Sequence, residues 1–185
     1  MPFEFKEAEL KDVKIVKPEV FEDERGFFME TYVKEKFKER GIDTEFVQEG
    51  HSKSEQGVLR GLHYQKGEHA QAKLVRCTRG VIIDVIADLR KDSKTFGETL
   101  KVILSEHNKK MLWIPQGFAH GFYTLSETAE VQYKLNSGYK PEKEAGIIWK
   151  DPELDIDWPD NNPKLSHKDE DWPTLEEAKK ERLLF

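Results

Sequence analysis

Apolar and polar positions alternate in short runs through most of this chain, and turn residues separate the runs. The alternation opens at Val13-Lys-Ile-Val-Lys-Pro-Glu-Val-Phe. This reads as a strand bent, or held at a sheet edge, by Pro18, which has no N–H to offer a ladder. Glu24-Arg-Gly is a turn, and Phe27–Val33 reads as a second strand. Lys34–Arg40 predicts a helix with Phe37 as its main apolar residue and Gly41 as its C-terminal stop. From residue 42 onward strands follow one another: Thr44–Gln48, Val58–Tyr64, Ala72–Cys77, Val81–Leu89, Leu100–Leu104, Met111–Ile114, Ala119–Leu125 and Ala129–Leu135. Turn pairs such as Gln56-Gly, Lys66-Gly and Arg79-Gly divide them. Short strands at this spacing predict an all-β sandwich or barrel, not alternating β and α units. Beyond Pro141 the chain is irregular and rich in Pro, Asp and Trp, until a last helix predicted from Thr174 to Leu183. Thr174 and Glu177 there match a capping box.

Composition narrows the class. The 185 residues suit one domain spanning 1–185, with a sizeable core. A formal net charge of −6 argues against a broad nucleic-acid surface but leaves room for a local basic pocket. Cys77 is the sole cysteine, so no disulfide forms within the chain and nothing requires an oxidising compartment. No apolar run approaches the roughly 20 residues of a membrane span. The opening Met1-Pro-Phe-Glu-Phe-Lys lacks the apolar stretch of a signal peptide. The expectation is a cytoplasmic protein.

Four groups of residues carry candidate chemistry. In Pro115-Gln-Gly-Phe-Ala-His120-Gly-Phe a tight turn feeds a strand in which His120 shares a face with Phe118 and Phe122. On an interior face His120 is either a satisfied core histidine or a working group. Arg60-Gly-Leu-His63-Tyr-Gln and Ala72-Lys73-Leu-Val-Arg76 are expected to form a hairpin through Lys66–His69, with residue 63 opposite 73. That register sets a candidate base beside a candidate partner for a negative oxygen. The alternative is a surface hairpin with polar decoration. Strict alternation sends Arg60 and His63 to opposite faces unless a bulge intervenes near Gly61. Tyr133 shares parity with Val131 and Leu135 and is expected to face inward, its hydroxyl bonded to a partner, for packing or as a proton donor. Asp84 and Asp88 share parity with Ile82 and Ile86. Asp84 either orients His120 or faces solvent.

Pro115-Gln-Gly-Phe-Ala-His120 resembles the second motif of the cupin superfamily of double-stranded β barrels. Metal-binding cupins carry a His-x-His pair in their first motif. The corresponding residues here are His63-Tyr-Gln, so the second histidine that would bind a metal directly is missing and no metal is expected. Within that superfamily the chain resembles the family of dTDP-4-dehydrorhamnose 3,5-epimerases over about Val13 to Asp171. The motifs that carry the likeness include Phe21-Glu-Asp-Glu-Arg-Gly-Phe-Phe, Gln48-Glu-Gly-His-Ser-Lys-Ser, Val58-Leu-Arg-Gly-Leu-His, Lys73-Leu-Val-Arg-Cys, Asp88-Leu-Arg-Lys-Asp-Ser-Lys-Thr-Phe-Gly and Leu165-Ser-His-Lys-Asp169.

The resemblance implies a mainly β, jelly-roll cupin fold with a few short helices. It implies an isomerase of dTDP-L-rhamnose biosynthesis that epimerises dTDP-4-dehydro-6-deoxy-D-glucose at C3 and C5, as a homodimer and without a cofactor. By the same resemblance His63 is the base and Asp169 its carboxylate partner. Tyr133 is the proton donor on the opposite face, Lys73 stabilises the oxygen at C4, and His120 lines the sugar pocket. Arg60 and Lys168 are similar to diphosphate contacts, Tyr139 to a ring stacking on thymine, and Glu144 to a nucleoside contact. Arg25, Glu30, Gln48, Glu49 and Gly50 are similar to further substrate contacts, Arg25 and Glu30 serving the neighbouring subunit. The family often has Asn where this chain has Gly50, which leaves only backbone to make a contact there. Two other readings keep their place: a single-carbon epimerase, whose motifs would look the same, and a non-catalytic sugar-nucleotide binding module, which needs no acid and base on opposite faces.

Overall fold

The computed structural model describes residues 2–181 and 183–185. In chain order the strands are β1 (Phe3–Glu7), β2 (Lys14–Pro18), β3 (Phe21–Asp23), β4 (Gly26–Phe28), β5 (Gln48–Glu55), β6 (Leu59–Gln65), β7 (Lys73–Arg79), β8 (Val81–Asp88), β9 (Thr99–Ser105), β10 (Met111–Ile114), β11 (Phe118–Thr124), β12 (Thr128–Leu135) and β13 (Glu144–Gly146). Three short helices accompany them: α1 (Lys34–Lys38), α2 (His167–Glu170) and α3 (Leu175–Lys180). The strands form a six-stranded sheet in the order β1-β2-β10-β7-β12-β5 and a five-stranded sheet in the order β13-β6-β11-β8-β9. Neighbouring strands of both sheets run antiparallel. The β3–β4 hairpin forms a separate two-stranded sheet.

The two large sheets face each other across a hydrocarbon core. Val75 and Cys77 of β7, Leu112 and Ile114 of β10 and Val131 of β12 meet Ile82 and Ile86 of β8, Leu104 of β9 and Phe118 and Phe122 of β11. This is the jelly-roll architecture the cupin motif implied. Each sheet is also covered from outside. The segment after β13 lays Ile147, Leu154, Trp158, Leu175 and Ala178 over Leu62, Val85, Ala87 and Ala119 of the five-stranded sheet. On the other side Phe37 of α1 and Ile42 cover Leu74, Met111 and Trp113. Strand β8 is therefore buried on both faces, which explains its near-continuous apolar run.

Most expected elements appear within a residue or two, and the differences have physical reasons. The stretch expected as a strand at Phe27–Val33 pairs only over β4. Thr44–Gln48 reaches strand geometry only at Gln48, and the paired strand runs on as Gln48–Glu55. That strand is a sheet edge with only Ser54 buried, so its sequence shows no apolar alternation. Strands β1 and β13 were not expected from the sequence. The last helix ends at Lys180, and the part of its expected span at residue 182 lies outside the described residues. Its capping box is present: the Thr174 hydroxyl accepts from the Glu177 N–H, and the Glu177 carboxylate accepts from the Thr174 N–H.

The hairpin expected between His63 and Lys73 does not form. Strand β6 belongs to the five-stranded sheet and β7 to the six-stranded one, so Lys66–Ala72 carries the chain from one sheet to the other. The two side chains still line one cavity, with Lys73 reaching the His63 backbone carbonyl, but from different sheets and not along a ladder.

Candidate active site

A cavity of about 420 Å³ opens between the sheets, continuous with the core through Phe122 and Leu135. Strand β6 supplies Arg60 and His63 to it, β7 supplies Lys73, β11 His120 and β12 Tyr133. The C-terminal segment adds Tyr139, Glu144, Lys168 and Asp169.

Arg60 and His63 reach the same cavity because β6 is irregular at Gly61. His120 of β11 stands opposite His63, yet Phe122 stands opposite Arg60, so the register shifts between them. Gly61 has φ +135°, and a Cβ there would fall 2.5 Å from the Cα of Gly121 on β11. Only glycine meets both conditions, and the break it allows turns what alternation would have set on opposite faces onto one.

His63 and Asp169 form the central pair. The His63 Nε2–H donates to Asp169 Oδ1. That bond fixes the tautomer and leaves the Nδ1 lone pair without a partner among the described residues. Asp169 is held in turn by the Ser166 hydroxyl at 2.9 Å and the Trp172 indole N–H at 3.3 Å. Burial pushes the Asp169 carboxyl upward, but the His63 bond and charge and these two donors outweigh it, so the group stays below the usual carboxylate range. Asp169 thus remains an anion that favours the imidazolium formed when His63 takes a proton.

A second pair lies deeper. His120 Nε2–H donates at 2.9 Å to Asp84 Oδ2, which decides between the two readings of Asp84 in favour of the one that orients His120. Burial lowers the His120 pKa, and although Asp84 opposes this, the imidazole titrates below its ordinary value. Asp88, on the same strand, serves a different end: it accepts from Arg90, Ser93 and Thr95 and holds the loop that follows β8.

Lys73 sits between the pairs, its Nζ 3.5 Å from the His63 carbonyl. Burial lowers its pKa to about 8 against the attraction of Asp84 and Glu144. A cation held this weakly solvated interacts strongly with any negative oxygen that develops nearby. Tyr133 faces the cavity as its parity required, but its hydroxyl has no hydrogen-bond partner among the described residues, contrary to the expectation for a buried tyrosine. The ring is only partly buried, which removes the need for one.

The cavity's polar cluster comes from the C-terminal segment. The Tyr139 hydroxyl donates to Glu144 at 2.8 Å, and Lys168 Nζ donates to the same carboxylate at 2.7 Å. Gln48 accepts from the Tyr139 N–H. Arg60 donates to the Ser54 hydroxyl and the Lys53 carbonyl. Four expected residues do not line this cavity. Arg25 pairs with Asp23 on the exposed hairpin, Glu30 with Lys36 and Glu49 with Lys134, and Gly50 lies under the Tyr133 ring. Alternation accounts for Glu49, which is next to Gln48 and points to the other face. Ser166 and Trp172 were missed; both flank Asp169 closely enough in sequence, three residues to either side, to have been found once that residue was singled out. Among the described residues no three His, Cys, Asp or Glu side chains gather closely enough to hold a metal ion.

An imidazole whose tautomer is fixed by a carboxylate, a cation of lowered pKa beside it and a free phenol form a set suited to moving protons next to a carbonyl. The family model for dTDP-4-dehydrorhamnose 3,5-epimerase matches residues 7–177. The chain belongs to this family. It is an isomerase. The dTDP-4-dehydrorhamnose 3,5-epimerase of Salmonella typhimurium is 53% identical over 171 residues, covering 91% of this chain and 93% of that protein. That of Methanothermobacter thermautotrophicus is 48% identical, covering 95% and 96%. Among solved structures, the Legionella pneumophila epimerase in complex with dTDP-4-keto-L-rhamnose is 44% identical, with a TM-score of 0.94 over 98% of this chain and 97% of that one.

The lowered pKa of Lys73 has a definite sign. Between about 8 and 10.5 the unfolded chain holds a proton that the folded protein has lost, so folding stability rises with pH across that window. An NMR titration of the Lys73 ε-methylene, assigned by its loss in Lys73→Met, is expected to show a midpoint near 8. A midpoint at the ordinary lysine value contradicts the burial argument.

Proposed function

We propose that this isomerase converts dTDP-4-dehydro-6-deoxy-D-glucose to dTDP-4-dehydro-L-rhamnose in dTDP-L-rhamnose biosynthesis, by side-chain proton transfer at C3 and C5. The observation that carries the reading is the His63–Asp169 pair facing the same cavity as Lys73 and Tyr133. The C4 carbonyl acidifies the hydrogens on both flanking carbons. Nδ1 of His63 takes the proton, and the C–H electron pair becomes the enolate, with charge on the C4 oxygen. Lys73 stabilises that oxygen, where a fixed cation matters most. Tyr133 returns a proton from the opposite face. The imidazolium gives up its proton to solvent and the phenolate regains one, so the net change is inversion. Nothing is oxidised or reduced, and the scheme calls on no metal or organic cofactor. His120, kept neutral beside Asp84, lines the sugar end. Arg60 and Lys168 bind the diphosphate, and Tyr139, Glu144 and Gln48 the nucleoside.

Substrate choice is supported by the relatives. Those at about half identity are named 3,5-epimerases, whereas the Streptomyces niveus protein named as a 3-epimerase is 37% identical. The working unit is a homodimer acting in the cytoplasm, each chain a single domain. The β3–β4 hairpin supports the dimer: Phe21, Phe27 and Phe28 are 52%, 55% and 66% exposed. So much aromatic surface on one short hairpin suits a partner. Arg25, at its turn, and Glu30 then reach the neighbouring cavity, and Glu49 and Gly50 act on substrate only through the edge strand they belong to.

Proton NMR of the protein with this substrate in D2O, with and without EDTA, tests the reaction. Deuterium is expected at both C3 and C5, unaffected by EDTA, and His63→Ala is expected to abolish its entry while dTDP still binds. Exchange at one carbon reduces the activity to a single-carbon epimerase. Loss on EDTA treatment returns a metal to the mechanism, and no exchange with tight dTDP binding sinks the enzyme reading for this substrate. The crossed hairpin has its own check. Arg25→Ala and His63→Ala, each impaired alone, are expected to recover activity when co-expressed, because a mixed dimer carries one intact site. No recovery contradicts sharing of Arg25 between subunits.

A further inference from the structure

The edge strand β5 buries one residue, Ser54, and leaves all its other positions half-buried or exposed. A buried hydroxyl needs a partner, and Ser54 finds it on another strand. The Arg60 Nε–H donates to the Ser54 hydroxyl at 2.9 Å, and Arg60 Nη2–H donates to the Lys53 carbonyl at 3.2 Å. Ser54 belongs to the edge of the six-stranded sheet and Arg60 to β6 of the five-stranded one. The turn at Gln56-Gly57 carries the chain between the sheets, and the two residues meet beside the cavity that Arg60 lines. Neither bond belongs to a ladder, so the contact is made by the arginine side chain itself.

The two bonds occupy one edge of the planar guanidinium, the edge made by Nε and Nη2. The other edge, made by Nη1 and the second Nη2 hydrogen, has no partner among the described residues. That free edge is the fork that can hold two phosphate oxygens at once. Arg60 is an exposed residue of β6, so packing does little to hold its long side chain. An arginine that must be ordered by its ligand loses rotamer freedom on binding, and the loss weakens affinity. We propose that Ser54 is a positioning residue: its hydroxyl holds the Arg60 guanidinium in advance, with the free edge presented to the substrate's diphosphate. This rests on the reading of Arg60 as a diphosphate contact given above. Satisfying the Ser54 hydroxyl also serves stability, but stability alone would not couple the two residues in binding.

The experiment measures Kd for dTDP by calorimetry, and kcat and KM for dTDP-4-dehydro-6-deoxy-D-glucose, in wild type, Ser54→Ala, Arg60→Ala and the double variant. Holding one long side chain in advance changes affinity by about three- to tenfold, so Kd in Ser54→Ala is expected to rise by that factor. KM is expected to rise with it while kcat stays within about twofold of wild type, because the diphosphate contact is the same in ground and transition states. The double variant is expected to match Arg60→Ala. A smaller rise in Kd overturns the proposal. So does a kcat that falls in step, a full second loss in the double variant, or loss of the thermal unfolding transition in Ser54→Ala, each of which makes the serine a packing requirement. A second readout needs no variant at position 54. In the ligand-free wild type the Arg60 Nε–H signal, assigned by its loss in Arg60→Ala, is expected to show an NOE to the Ser54 β hydrogens, and its absence overturns the placement. Failure of the underlying reading looks different, because Arg60→Ala would then bind dTDP as tightly as wild type.

Discussion

Two sheets share one interior, and the hydrocarbon that fills part of it sets the electrical character of the rest. Ile82, Ile86, Phe118, Phe122 and Val131 pack between the sheets. The polar groups occupy the same inward positions further along the same strands: Asp84 between Ile82 and Ile86 on β8, His120 between Phe118 and Phe122 on β11, Tyr133 two residues beyond Val131 on β12. A charge at these positions is poorly solvated, so it pairs, shifts its pKa or both. Asp169 does so with His63, Asp84 with His120, and Lys73 lowers its pKa toward neutrality. Removing the core would not merely unfold the barrel; it would return these groups to water and to their ordinary acidities.

The second consequence is structural economy at the His63–Asp169 pair. His63 stands on a barrel strand, whereas its carboxylate partner arrives from α2, 106 residues later. The C-terminal segment that covers the five-stranded sheet with Trp158 and Leu175 also delivers Asp169 and Ser166 to the cavity and sets the Trp172 indole against Asp169. Covering apolar surface and orienting the histidine are thus done by one stretch of chain. The hairpin of β3 and β4 stands apart from both sheets and contributes nothing to the cavity within one chain.

Strand β12 was legible in the sequence because burial of one face imposes a period of two, whereas β8, β10 and β11, buried at nearly every position, were legible as short apolar runs bounded by turns. Parity brought Tyr133 inward, but for His120 and Asp84 it gave only a shared face with apolar neighbours and left open whether that face was interior. Strand β5 was misplaced because an edge strand with polar residues on both faces carries no such period. The hairpin at Lys66–His69 failed for another reason: a turn signal says that the chain changes direction, not whether the next strand joins the same sheet. The proximity of His63 and Lys73 was right and its geometry wrong. Asp169 was legible only through the family motif, since nothing in local periodicity links residues so far apart. Gly50 read as a lost contact; in the folded chain it is the space in which the Tyr133 ring lies.

On the proposed reaction, the interior shared by the two sheets keeps Lys73 poised to stabilise charge that exists only as the enolate forms. Steady-state kinetics of Lys73→Met, which keeps the length and removes the charge, test it most directly. With the charge gone, kcat is expected to fall by about 10²–10³-fold with KM little changed, the mark of an interaction made in the transition state alone. A kcat within about threefold of wild type, or a loss confined to KM, would contradict it.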